Sequence, residues 1–201
     1  MIHRYYSLAF TTSSIRKHES LKLAELYLQH RDWKSVRDYV IENNVLQQRT
    51  TRSSKKLCQE LLSRLRQLSD DELIYLVKSP ETEKSILLWI AVCRRYRFLF
   101  DFSVEVIREH LLNLNYHIEH ADFEVFFSSK LNIYEELGDI SISTKRKVRQ
   151  VIFRMLREVD LLNKHSKLNA IVPDSQTLAL INERELWVIG FGAYHLAINT
   201  T

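Results

Sequence analysis

The sequence predicts an all-α protein, predominantly helical, built from helix-turn-helix units of which the C-terminal one is winged by a short β-hairpin. Three observations predict it. The chain of 201 residues holds only three Gly (138, 190, 192) and two Pro (80, 173), so little interrupts a helix. Apolar residues recur every three or four positions through most of the chain, the period of a one-sided helix. Residues 121–173 then run as helix, short turn, basic helix and extended segment, the order of a winged helix-turn-helix.

Each element follows from its own pattern. Residues 1–18 show little periodicity and read as an arm. Glu19 to His30 reads as a helix with a wide apolar arc. Asp32 suits the cap of a helix over Trp33 to Glu42, because a short carboxylate accepts from the orphan N–H groups of the first turn; Asn43-Asn44 can end it. Ser53 or Ser54 is expected to cap a helix running to Leu68, with Leu57, Cys58, Leu61, Leu65 and Leu68 inward and Arg52, Lys55, Lys56 and Arg66 outward. Asp70 to Lys78 is a short helix ended by Ser79-Pro80. Thr82 to Arg97 follows. Its stretch Ile86 to Cys93 is apolar on every side and is expected to be the most buried. Arg94, Arg95 and Arg97 suit the negative end of its dipole. Asp101 or Ser103 is the expected cap of the next helix. Phe123 to Leu137 is helical and stopped by Gly138.

After a five-residue turn over 138–142, Ser143 or Thr144 caps the basic helix. Val148, Val151, Ile152, Met155, Leu156 and Val159 make its apolar stripe, and Arg146, Lys147, Arg149, Arg154 and Arg157 lie opposite. Leu168 to Val172 has strand-like content and supplies the wing. Asp174 or Ser175 caps a short helix through Ile181. Residues 186–192 are ambiguous between strand and helix. Pro80 is the linker candidate between an N-terminal helical lobe, 1–79, holding basic helix 53–68, and a C-terminal helical lobe, 80–201, holding the winged-helix-like unit 121–173.

The same composition excludes much chemistry. No Gly-rich loop can cradle a phosphate, and no Ser stands between two Gly as a nucleophile elbow requires. Acidic residues are scattered without paired-carboxylate spacing, so no enzyme is expected. His110, His117 and His120 lie near Glu109 and Glu119 but lack a matching ligand pair, so neither a metal nor a cofactor is expected. Cys58 and Cys93 are isolated on apolar patterns and read as buried thiols of a reducing compartment. The start lacks a signal peptide's apolar run, and no apolar run spans a bilayer; Leu186 to Ile198 is broken by two Gly and His195. A cytoplasmic protein with no membrane partner is the expectation.

Charge points to the partner. The net charge is only +4, but it is concentrated. Residues 45–68 carry +5 and residues 143–167 carry +6, which leaves −7 on the rest. Cation gathered on an otherwise acidic protein is an electrostatic footprint for a polyanion. The alternative is two solvated faces paired with carboxylates of the fold. The two basic segments also align with each other. Ser54-Lys55-Lys56 over Thr144-Lys145-Arg146 places Leu61-Leu62 over Val151-Ile152 and Arg64 over Arg154. Each copy is a hydroxyl-capped helix start bearing cations, a setting that favours phosphate.

Scattered positions along nearly the whole chain carry a family resemblance. Asp32-Trp33 with Val36, Asn44, Leu46-Gln47, Arg49-Thr50, Ser54-Lys55-Lys56 and Arg64-Leu65 resemble the first half of the BrxA family of bacteriophage-exclusion (BREX) systems. Tyr96, Asp101-Phe102, Glu105-Val106, Phe123, Phe126, Ser143-Thr144-Lys145 and Met155-Leu156 resemble its second half. The resemblance implies a helical, non-enzymatic component of a system that methylates host DNA and blocks phage replication. It implies double-stranded DNA as ligand, and a methyltransferase, a large ATPase and a PglZ-type protein as companions. The expected DNA contacts are Arg49, Arg52, Ser53, Ser54, Lys55 and Lys56 in one patch, and Thr144, Lys145, Arg146, Lys147 and Arg149 in the other. A protein-interaction scaffold and an RNA-binding helical protein are the alternatives.

Overall fold

The computed structural model describes residues 6–190. Eleven α-helices occupy them: α1 (Lys17–His30), α2 (Trp33–Glu42), α3 (Thr51–Leu65), α4 (Asp70–Lys78), α5 (Glu81–Arg95), α6 (Arg97–Phe102), α7 (Glu109–Leu112), α8 (His120–Leu131), α9 (Ile142–Glu158), α10 (Ser175–Leu180) and α11 (Glu183–Leu186). The predominantly helical fold is therefore as read from composition and period.

At the centre is α5. Ile86 to Cys93 are all buried, as an all-round apolar helix requires. Trp89 fills the middle, and its indole N–H donates to the Val188 carbonyl at 3.1 Å. That carbonyl belongs to a 3₁₀ turn, Trp187–Ile189, ended by Gly190 at φ +75°. A Cβ on Gly190 would lie 2.2 Å from Leu111 Cδ1, so only glycine fits there. The aromatic side of the core runs through Phe98, Phe102, Phe123, Phe126 and Phe127, which meet largely edge to face or tilted.

Several boundaries differ from expectation, each for a local reason. The arm is not loose. Tyr6, Phe10 and Ile15 are buried, a 3₁₀ turn forms at Ala9–Thr12, and Tyr6 stacks on Tyr134 with centroids 3.7 Å apart. The caps of α3 and α9 lie upstream of those expected. Thr50 and Ser141 hold the extended cap conformation and accept from Ser53 N and Thr144 N. Neither Asp101 nor Ser103 caps a helix. Tyr96 alone is extended between α5 and α6. Asp101 instead takes Arg97 at 2.7 Å and the Tyr6 hydroxyl. A π-helical stretch, Ser103–Arg108, joins α6 to α7. The expected helix over 123–137 starts earlier and stops at Leu131, and only Glu135–Leu137 regains a 3₁₀ turn. The connection from α8 to α9 is thus ten residues long, where five were expected.

The expected β-hairpin does not form: no strand occurs among the described residues. Two isolated antiparallel bridges, His117 with Lys167 and Leu162 with Leu168, hold residues 161–169 in a tight reversal. The Asn163 side chain accepts from His165 N and Lys167 N inside it, an Asx turn that spends backbone donors locally. The reading of 186–192 is settled as helix and 3₁₀ turn through Ile189, and 191–192, like 191–198 of the Leu186 to Ile198 run, lie outside the described residues. Among these residues no helix is long and apolar enough to cross a membrane.

Candidate nucleic-acid interface

The basic helix α9 is sharply two-sided. Val148, Val151, Ile152, Phe153, Met155 and Leu156 are buried. Its exposed residues are Ile142, Ser143, Arg146, Lys147, Gln150, Arg154 and Arg157. At 3.6 residues per turn, Ser143 to Arg157 keep to an arc of about 100° over a length of about 21 Å. No carboxylate lies on that arc. Arg146, Lys147 and Arg154 make no ion pair among the described residues, and Arg157 donates to its own helix at Phe153 O, 3.4 Å. Beyond α9, the bridged reversal exposes Lys164, His165 and Lys167.

Two predicted contacts are turned away from this face. Lys145 and Arg149 lie round the side of α9, where Glu124 of α8 takes both, at 2.5 and 2.6 Å. Lys145 also covers the Phe127 ring at 4.7 Å. The Lys145 contact, followed by Arg149, holds the Glu124 carboxyl below the usual carboxylate range. With His120 edge to face on Phe153, these pairs align α8 and α9 antiparallel, since positions fall on one helix as they rise on the other. Thr144 is half-buried beside its cap.

The second basic helix, α3, shows the same design with more neighbours. Arg49, Arg52, Ser53, Lys55, Lys56, Gln59 and Arg66 are exposed. Ser54 points inward, 2% exposed, its hydroxyl without a partner, so it cannot reach a ligand from this position. Glu60 is the helix's one carboxylate and is spent inside: it accepts from Arg64 Nε at 2.9 Å and from the Tyr96 hydroxyl at 2.5 Å. Arg64 is buried as well, donating to the Ser14 and Ser13 carbonyls at 2.6 and 3.1 Å. Its place in the repeat opposite exposed Arg154 therefore fails. Between α2 and α3 a groove of about 580 Å³ is lined by Arg37, Asp38, Glu42, Lys55, Gln59 and Arg66, among others. Asp38 is paired with Arg37 at 2.7 Å. Lys55 and Arg66 thus share a groove with two carboxylates, and the cations of α9 face none on their arc.

One strap touches both helices at their C-terminal ends. Ser13 and Ser14 receive Arg64 of α3, and Ile15 N donates to Glu158 of α9 at 2.7 Å. The cationic helix starts are then the far ends. Of the two residues that make this link, the sequence offered Arg64 only as the repeat counterpart of Arg154 and as a family match, and Glu158 not at all. As links, their only sequence signal is charge set on or beside the apolar stripe.

Arg94, read as a dipole partner, is a hub. It donates to Glu72 at 2.7 Å and to Glu185 at 2.7 and 3.0 Å, joining α4, α5 and α11. Cys58 and Cys93 are free and buried, and burial pushes the Cys58 thiol up to about 11, so neither is a nucleophile near neutrality. His110 pairs with Asp122 at 3.3 Å. Among the described residues no three His, Cys, Asp or Glu side chains converge as a metal site.

The profile of the BrxA family matches residues 4–185. A Bacillus cereus (strain H3081.97) protein named BREX protein BrxA is 30% identical over 132 residues, 63% of this chain and 64% of that protein. The match thus spans under two thirds of that relative's length. An Escherichia coli O9:H4 (strain HS) protein of the same name is 21% identical over 164 residues, 80% of this chain and 77% of that protein. The crystal structure of an uncharacterized protein from Magnetospirillum magneticum superposes with a TM-score of 0.77 at 19% identity, over 93% of this chain and 97% of that one. At that identity it shows a common fold.

Proposed function

This chain belongs to the BrxA family, and on that premise we propose that it is a non-enzymatic component of a BREX-type phage-defence system that binds double-stranded DNA. The contacts are mainly to phosphate. They come from the solvent faces of α3 and α9, one in each of the lobes divided at Pro80, with the reversal over 163–167 beside α9 in the place of a wing. The observation that carries the reading is the face of α9: Arg146, Lys147, Arg154 and Arg157 exposed along one arc with no carboxylate among them. A row of unpaired cations about 16 Å long, from Arg146 to Arg157, can lie along a phosphate backbone and releases counterions when it docks.

The test is a titration of binding to a fixed duplex against salt. The log–log slope should approach about −0.9 per neutralised phosphate. Replacing Arg146, Lys147, Arg154 and Arg157 together with Ala should flatten that slope by up to about 3.6 and weaken binding to all sequences alike. A slope near zero for the parent protein refutes the reading.

A second reading, a scaffold for other BREX proteins such as the methyltransferase, the ATPase or the PglZ-type protein, draws on a different observation. Val125 and Ile142 stand 72% and 74% exposed on α8 and α9, two apolar side chains that a partner protein would cover. Failure to shift a random duplex at moderate salt, with co-purification of a companion, favours that reading. Competition by single-stranded or duplex RNA at equal strength would make RNA the ligand.

A further inference from the structure

The hydroxyl caps give the two basic helices a common register that plain alignment misses by one residue. Thr50 Oγ1 accepts from Ser53 N at 3.1 Å and meets Ser53 Oγ at 2.9 Å. Ser141 Oγ accepts from Thr144 N at 3.1 Å and meets Thr144 Oγ1 at 2.9 Å. The two starts share the same pair of contacts at the same lengths. Counting from the caps, Lys55 and Lys56 coincide with Arg146 and Lys147, Arg66 coincides with Arg157, and Gln59 coincides with Gln150. The buried sides coincide too: Leu61, Leu62 and Leu65 with Ile152, Phe153 and Leu156.

The matched glutamines are the point of interest. Each is the one side-chain amide in its helix. Each is exposed, and neither makes a hydrogen bond among the described residues. Each sits one turn beyond two cations, at i−4 and i−3, so it is aimed with them toward whatever they bind. Lysine and arginine on such a face hold phosphate and carry little sequence information. An amide is different. It presents a donor and an acceptor side by side, and that pair matches the N6 and N7 edge of adenine in the major groove.

We infer that Gln59 and Gln150 are a matched pair of base-reading positions, each selecting adenine within duplex DNA held by its own helix. The inference rests on the DNA reading above and deepens it from charge to sequence. Gln150 is the stronger reader. Its strip continues one turn on with Arg154, where the α3 strip has Ser63, and α3 also faces Asp38 and Glu42 across the groove.

The experiment is selection from a randomised duplex library, with sequencing, for the full chain and for Gln59→Ala, Gln150→Ala and the double variant. The parent should enrich adenine at two positions a fixed distance apart. Discrimination at each should be on the order of five- to a hundredfold, the range for one good bidentate contact. Each single variant should lose one of the two preferences, and the double variant both, with the salt slope unchanged. Lys147→Ala is the control; it should flatten the slope and leave the preferences intact. Steep salt dependence without any adenine enrichment, enrichment that survives in the double variant, or loss tied to only one of the glutamines overturns the pairing and leaves DNA binding standing. No binding of the parent to any duplex at low salt overturns the DNA reading and the inference with it.

Discussion

Arg94 holds two carboxylates at once, and its neighbours show why. Glu72 caps α4 from within a capping box, accepting from Ser69 N at 2.7 Å, and is nearly buried. Burial alone pushes its carboxyl upward. The Arg94 bonds and the Ser69 backbone donor outweigh that, and its pKa is lowered. Removing the cation strands a buried charge, so Arg94→Ala should cost about 3–5 kcal/mol, a drop in melting temperature of roughly 6–20 °C for a chain of this size. Loss of under about 1 kcal/mol would mean that water replaces the guanidinium. The sign of the pH dependence follows from the same residue. A lowered folded pKa gives stability that is fully present above the unfolded carboxylate value of about 4.3 and is lost as pH falls through the folded value. Urea midpoints measured downward from about pH 5 should therefore decline, and Glu72→Gln should flatten the decline. The sequence showed Arg94 only as a cation at a helix end, because its partners lie 22 and 91 residues away.

Helix boundaries are decided by which residue takes the cap, and here local pattern came close without landing on it. Ser53 and Thr144 were reasonable caps, yet each donates its backbone N–H to a hydroxyl three residues earlier. Both segments hold several hydroxyls in a row, so periodicity alone cannot choose among them. Asp32 stood alone before its helix and is the cap, whereas Asp174 is the cap of the two residues, Asp174 and Ser175, that the pattern left open. Removing either hydroxyl cap should cost about 1 kcal/mol. Thr50→Ala and Ser141→Ala should each lower the melting temperature by about 2–4 °C, and an unchanged midpoint would place the true cap elsewhere. The missing wing has a related cause. Leu168 to Val172 has strand composition, but Asn163 draws the preceding donors, His165 N and Lys167 N, into a turn, and within the segment only Leu168 makes a bridge. The helical content was legible because it needs only period and few breakers. The end of α8 was not legible, since Leu131-Asn132-Ile133 carries no Gly or Pro to mark it.

At the scale of the molecule, the question is which cations are left for a ligand. Counting charge along the sequence singles out α3 and α9 but not which of their cations are free. Arg64 is used up by the strap, and Lys145 and Arg149 by Glu124. Arg154 and Arg157, outside the predicted contacts, lie on the open arc of α9. Partner choice of this kind is set by packing between elements, which no window of sequence contains. It also makes Glu124 a brake on the proposed interface. Glu124 is partly exposed, so its ion pairs add little to stability, but they hold two cations away from phosphate. Glu124→Gln should free both. Affinity for a fixed duplex should rise, and the log–log salt slope should steepen by up to about 1.8, two phosphates' worth. Asp71→Asn is the control, since it removes one negative charge from exposed surface of α4 and should tighten binding only by the small long-range effect of net charge. Equal gains from the two variants would mean that overall charge alone draws DNA to this protein. A loss of affinity in Glu124→Gln would mean that Lys145 and Arg149 serve the interface by fixing α9 against α8.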